Sequence, residues 1–275
     1  MVKQTKFHLR FFNIVLFIIF FILAIGSGLI IYDMSQRAVI NVQPSIIPMT
    51  ESPQKVPQPP VLKKSSYVVA IYGDSMVDTM GEHLEHLQAI FKQVYPNTII
   101  KYYNYGVGSE NVSMGLLRFD KPLLYKERNY PPIQEINADI LILGSFSYNP
   151  YFPHDSEKHK NELTKLINEA KKVAKRVYLL AEIAPLGDGF GKGERGINLE
   201  DVKAKKHAEY IIDQLDNTVS LAKSLNIPLI NTYYPSQTEG KFTSSIYVSI
   251  DDGIHPSDYG HKFIADLIAK TMKFD

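Results

Sequence analysis

The chain contains no cysteine among its 275 residues. Disulfide frameworks, thiolate zinc sites and cysteine nucleophiles are therefore excluded. The redox compartment stays open, because a domain of this length can stand on its hydrophobic core alone. A charge surplus is also missing, with 30 Lys and Arg against 29 Asp and Glu. Broad nucleic-acid binding needs a basic excess on one face, so no nucleic-acid partner is expected. No internal repeat divides the chain, and its length suits one good-sized domain with additions.

Charge is absent locally as well. Residues 11–32 hold no charged side chain and are dominated by Phe, Ile and Leu. At a helical rise of about 1.5 Å per residue, such a run crosses the roughly 30 Å hydrocarbon core of a bilayer. Lys3, Lys6 and Arg10 precede it, whereas Asp33 and Arg37 behind it nearly cancel. The positive-inside rule then makes 1–10 a cytoplasmic tail and 11–32 a transmembrane signal-anchor, with everything beyond lying outside the cell membrane. The small residues of 24–28 leave signal-peptide cleavage as the alternative. Residues 33–66 read as an extracytoplasmic linker. Six of the 16 prolines fall within 41–62, and proline excludes both helix interiors and central strands.

From residue 67 to 275 the pattern is one of alternating strands and helices. Residues 67–72, 98–103, 139–143, 177–183 and 227–232 are short apolar runs suited to buried parallel strands. Helical periodicity separates them: Met80 to Val94 before Pro96, then 156–175, 201–225 and 257–272. This order predicts a three-layer α/β/α domain with a five-stranded, doubly wound parallel sheet. Ligands in such folds bind beyond the carboxyl ends of the strands.

Two motifs fall at that edge. Gly73-Asp74-Ser75-Met76 follows the first strand, placing a serine in a glycine-containing turn before a helix. Serine needs a base within hydrogen-bond reach to act as a nucleophile; the alternative is a helix cap made by Asp74 or Ser75. Asp251-Asp252-Gly253-Ile254-His255 follows the fifth strand. The Asp252-x-x-His255 spacing lets one loop present an imidazole and the carboxylate that orients it; the alternative is again a cap with an exposed histidine.

On these residues the chain resembles the SGNH (GDSL-type) hydrolase superfamily, over its whole length from about Tyr67. The resemblance implies a flavodoxin-like fold and a serine ester hydrolase or acyltransferase. It makes Ser75 the nucleophile, His255 the base and Asp252 the acid, with Asp251 at the wrong spacing. The oxyanion would rest on the Ser75 N–H, on an N–H near Gly108 or Ser109, and on an asparagine. Ser109 stands where the family's second block carries its last glycine. The third block, usually Gly-x-Asn-Asp, reads Gly144-Ser145-Phe146-Ser147-Tyr148-Asn149, so its asparagine, Asn149, is displaced by three positions.

Other signals carry less. Residues 191–196 match G-x-G-x-x-G but do not directly follow a strand and open a helix, as a dinucleotide site requires. They read as a loop beside the active-site edge, placed as a lid or an acyl-recipient contact. His154, Asp155 and His159 read as a helix start with solvated histidines, His83 and His86 as surface or groove residues, and no metal or cofactor is expected. The aromatic run Tyr102-Tyr103-Asn104-Tyr105 reads as strand core, with ring stacking on a carbohydrate from Tyr105 or Tyr148, at strand ends, as the alternative. The expected substrate is a small-molecule or polysaccharide ester of the cell envelope. The rivals are O-acyl transfer through the same triad, and a catalytically silent envelope-binding module.

Overall fold

Runs such as Val68–Tyr72, apolar on both sides of the pleat, are stable only when both faces are covered. The computed structural model, which describes residues 62–274, covers them. Strand β1 (Ser66–Gly73) runs into a one-turn helix α1 (Ser75–Asp78), followed by α2 (Glu85–Val94), β2 (Ile99–Gly106) and α3 (Val112–Arg118). A small hairpin, β3 (Leu123–Tyr125) and β4 (Arg128–Tyr130), precedes β5 (Ile140–Gly144), α4 (Ser156–Val173) and β6 (Arg176–Ala181). The chain closes with α5 (Asp201–Ser224), β7 (Leu229–Asn231), the short α6 (Tyr233–Ser236), a second hairpin of β8 (Gln237–Glu239) and β9 (Phe242–Thr243), and α7 (Asp258–Thr271). The transmembrane helix expected at 11–32, and nearly all of the linker, lie outside the described residues. Among the described residues no helix is long and apolar enough to cross a membrane.

The main sheet has the order β2-β1-β5-β6-β7 with every pairing parallel, as the repeated strand–helix pattern predicts. Successive side chains on a strand point to opposite faces. Accordingly Val69, Ile71, Ile140, Ile142 and Leu180 enter one core layer with α2, α5 and α7. Ala70, Tyr72, Leu141, Leu143 and Leu179 enter the other with α3 and α4. The register pairs Gly73 with Gly106, so two loops leave the sheet side by side where chemistry was expected.

Three expectations need correction. The single helix expected from Met80 to Val94 is broken, because Gly81 (φ 89°) and Leu84 (φ 55°) adopt left-handed backbone, which terminates helices. Both hairpins escaped the periodicity reading, since strands of two or three residues are too short to show a period. The fifth strand is shorter than expected because Pro228 has no N–H to give the ladder and pairing begins at Leu229.

Candidate active site

The first strand ends in a turn held by its own aspartate. Asp74 is the N-cap of α1, with Oδ1 accepting the Met76 N–H at 3.0 Å. The cap alternative is therefore real, but it uses Asp74 and leaves Ser75 free. Among the described residues the Ser75 hydroxyl has no hydrogen-bond partner, and it faces a cleft of about 520 Å³. Asn104, a buried polar residue inside β2, secures this turn. Its Nδ2 donates to Val77 O (2.9 Å) and Gly81 O (2.7 Å), and its Oδ1 accepts the Gly106 N–H (2.8 Å). Arg118 ties the same strand ends together, donating to Gly73 O and Tyr105 O at 2.9 Å each.

Asp252 and His255 enter the cleft from the other end of the sequence. His255 Nδ1–H donates to Asp252 Oδ2 at 2.7 Å, while Asp252 Oδ1 accepts the N–H groups of Ile254 (2.8 Å) and His255 (2.9 Å). Burial pushes the Asp252 carboxyl up, but these three donors outweigh it and hold the group below the ordinary aspartate range. The carboxylate therefore stays ionised and fixes the imidazole with Nε2 bare, the tautomer a general base needs. The His255 imidazole pairs with Asp252 and not with Asp251, whose carbonyl accepts the Arg195 N–H at 2.7 Å. No hydrogen bond joins Ser75 to His255, though both side chains line the same cleft.

The glycine-rich stretch 191–196 is packed backbone to backbone on this loop. Gly191 N–H donates to Gly253 O at 3.0 Å. Gly253 (φ 65°) and Gly193 (φ 145°) have no room for a side chain: a Cβ would lie 2.5 Å from Gly189 O and 2.3 Å from Asp251 O, respectively. The glycines thus serve close approach between two loops. Phe190, Arg195 and Ile197 from this stretch line the cleft.

The oxyanion candidates separate. The Gly108 N–H is engaged, donating to Tyr125 Oη at 3.2 Å. The N–H groups of Ser75 and Ser109 have no partner among the described residues, and Ser109 holds the left-handed conformation (φ 62°) of the glycine it replaces. Asn149 reaches the site despite its displacement: its Nδ2 donates to Asp74 Oδ2 at 3.0 Å. An amide carries two hydrogens, so one remains beside Ser75. The three additional residues are absorbed as a turn, in which Phe146 (φ 57°) points into one core layer and Tyr148 into the other.

The strand-core reading of the aromatic run holds, and one histidine expectation fails. Tyr105 is buried, its hydroxyl donating to Pro131 O at 2.7 Å. Tyr148 borders the cleft, but its hydroxyl is spent on Ile183 O at 2.9 Å. His159 is not solvated. It is fully buried, with Nε2–H donating to Ser145 O at 2.9 Å, and burial pushes its pKa down to about 4. His154 pairs with Asp213 at 2.8 Å and stacks on Tyr210, while Asp155 caps α4 as expected. Residues the sequence reading missed include Asn104, Arg118, and Arg128, which pairs with Asp78 beneath the serine turn. Only Asn104 carries a sequence signal, a polar residue inside an otherwise aromatic and apolar run.

A sequence model described as GDSL-like lipase/acylhydrolase matches residues 69–268. No curated protein matches the chain in sequence. Solved structures with a similar fold include a GDSL-like lipase from Bacteroides thetaiotaomicron, 18% identical, covering 77% of this chain and 89% of its own, with a TM-score of 0.52. A catalytic mutant of an acetylxylan esterase from Geobacillus stearothermophilus is 14% identical, covering 78% and 98%, with a TM-score of 0.53. A lipase/acylhydrolase from Enterococcus faecalis is 15% identical, covering 74% and 94%, with a TM-score of 0.54.

Proposed function

Because the chain belongs to the GDSL-like lipase/acylhydrolase family, and is accordingly a serine esterase, we propose that it cleaves its ester through an acyl-enzyme on Ser75. The observation that carries this reading is the meeting, in one cleft, of a free serine hydroxyl with a preformed Asp252–His255 pair from a distant part of the sequence. His255 Nε2 takes the proton of Ser75 Oγ as Oγ attacks the carbonyl carbon. Asp252 stabilises the imidazolium that forms. The tetrahedral oxyanion receives the N–H groups of Ser75 and Ser109 and the Asn149 amide. Collapse breaks the ester C–O bond, and His255 returns the proton to the leaving alcohol. A water deprotonated by His255 then attacks acyl-Ser75 and releases the acid.

The substrate we assign is a small acyl ester, acetyl foremost, on a polysaccharide of the cell envelope. Two observations support this: the fold is shared with acetylxylan esterases, and the uncharged run 11–32 predicts an anchor with the catalytic domain outside. The first test compares p-nitrophenyl acetate hydrolysis by the full-length protein and its Ser75→Ala variant. Turnover is expected to fall by about 10³-fold or more in the variant. A folded variant that hydrolyses as fast as the parent overturns the serine mechanism. Acetate release from O-acetylated polysaccharide, and protection of the domain from protease inside sealed right-side-out cells, would respectively support the substrate and contradict the location.

A further inference from the structure

Behind the Ser75 turn lies a buried polar cluster that the mechanism above does not use. Glu182 directly follows β6 and is fully buried. Its Oε1 accepts the Ser145 N–H at 2.8 Å, and its Oε2 is hydrogen-bonded to Ser145 Oγ. Ser145 Oγ in turn lies 2.6 Å from Ser147 Oγ and accepts the Ser147 N–H at 3.1 Å. These bonds fasten the start of the loop whose last residue, Asn149, reaches Asp74. A carboxylate in this place is unusual, because Asp74 is also fully buried and nearby, and no Lys or Arg pairs with either among the described residues.

We propose that Glu182 is a positioning residue for this esterase: as a neutral carboxylic acid it clamps Ser145, and through 145–149 it holds the Asn149 amide beside Ser75. This rests on the reading of Asn149 as an oxyanion donor. Charge pairing supports the neutral form. Asp74 receives N–H donors on both oxygens, which suits a carboxylate. A second buried anion beside it, without a cation, is strongly disfavoured. With the proton on Glu182 Oε2, that group donates to Ser145 Oγ, and the hydrogen of Ser145 is free for Ser147. Burial first, and the Asp74 charge second, push the Glu182 carboxyl well above the ordinary glutamate range. The other titratable groups bordering the cluster are Tyr148 in the loop, whose hydroxyl burial pushes far up, and His159 from α4, which burial keeps neutral.

Glu182→Gln and Glu182→Ala separate the possibilities. The glutamine amide donates to Ser145 Oγ, its oxygen accepts the Ser145 N–H, and it cannot ionise. In wild type, kcat is expected to fall at alkaline pH as Glu182 loses its proton. Glu182→Gln is expected to keep kcat within a few fold at neutral pH and to lose that alkaline fall. Glu182→Ala is expected to lower kcat by about 10²-fold, the size of one lost oxyanion donor, with KM little changed. Adding Asn149→Ala to it should then cost little more. A glutamine variant as slow as the alanine variant, a persistent alkaline fall in Glu182→Gln, or wild-type kcat in Glu182→Ala overturns the proposal. Crystal structures of the variants read the same question independently of turnover. Asn149 should keep its bond to Asp74 in Glu182→Gln and lose it in Glu182→Ala; an unmoved Asn149 in the alanine variant overturns the clamp. Loss of Ser75-dependent turnover in wild type overturns the esterase mechanism instead.

Discussion

Two loops bring functional groups to the cleft, and they are built in opposite ways. The Asp252–His255 loop is local: all three bonds to the Asp252 carboxylate come from residues two or three positions away. The loop 145–149 is assembled from a distance. Asp74 holds Asn149, Glu182 holds Ser145, Ile183 takes the Tyr148 hydroxyl, and His159 reaches in from α4. A local constellation needs only its own few residues to be right. A distributed one depends on the whole sheet edge, so its parts should fail together.

Mutations can break that contrast. The largest effect is expected from Asp252→Asn, which would keep the shape of the local loop but favour the wrong imidazole tautomer. A loss in kcat of about 10⁴-fold is expected, with the fold and melting temperature retained; a loss below tenfold would mean that Asp252 does not orient the base. Asn149→Ala comes next. Removing one oxyanion donor costs about 2.7–4 kcal/mol of transition-state stabilisation, or 10²–10³ in kcat, with KM nearly unchanged. An unaltered kcat would reassign Asn149 to a structural bond with Asp74 alone.

Acid should distinguish the two loops as well. His159 is neutral in the fold with its pKa lowered to about 4, against 6.5 for a free imidazole. The unfolded chain therefore binds more protons between these values, and stability is lost as pH falls through that window. At 1.36 kcal/mol per unit this amounts to roughly 3 kcal/mol. His261, partly buried and pushed down to about 4, adds to the slope. Denaturant unfolding at pH 7 and pH 4.5 should give a smaller difference in His159→Gln than in the parent. Hydrogen exchange at the lower pH should open 145–149 before the Asp252 loop. Equal pH slopes in both proteins would remove His159 as the cause.

The same contrast explains what was legible in the sequence. Five strands, their parallel order and the Ser75, Asp252 and His255 motifs all rest on short-range signals: apolar runs, turn residues and a three-residue spacing. Asn149 is harder to read, because only the structure shows that Phe146 and Tyr148 turn into opposite core layers and absorb the displacement. His159 was misread as solvated since a histidine in the first turn of a charged helix gives no sign of the Ser145 carbonyl above it. Asn104 interrupts an apolar strand, Arg118 closes α3 and Glu182 directly follows β6, yet nothing local names their partners, which lie 23 and 27 residues away for Asn104, 13 and 45 for Arg118, and 37 for Glu182. The anchor at 11–32 is a compositional reading that stays with the sequence.

The smallest expected effect concerns Ser109. The left-handed backbone costs a non-glycine residue roughly 1–2 kcal/mol, while glycine loses about 0.5–1 kcal/mol more on folding. With φ at 62°, Ser109→Gly should therefore be neutral or slightly stabilising, read as a small rise in melting temperature. Its effect on kcat should be slight, because the group offered to the oxyanion is a backbone N–H that glycine keeps. Ser109 belongs to a third loop, after β2, that offers the cleft only its backbone. A tenfold fall in kcat in Ser109→Gly would show that the hydroxyl itself shapes the cleft, and that a family glycine was replaced for chemistry and not merely tolerated.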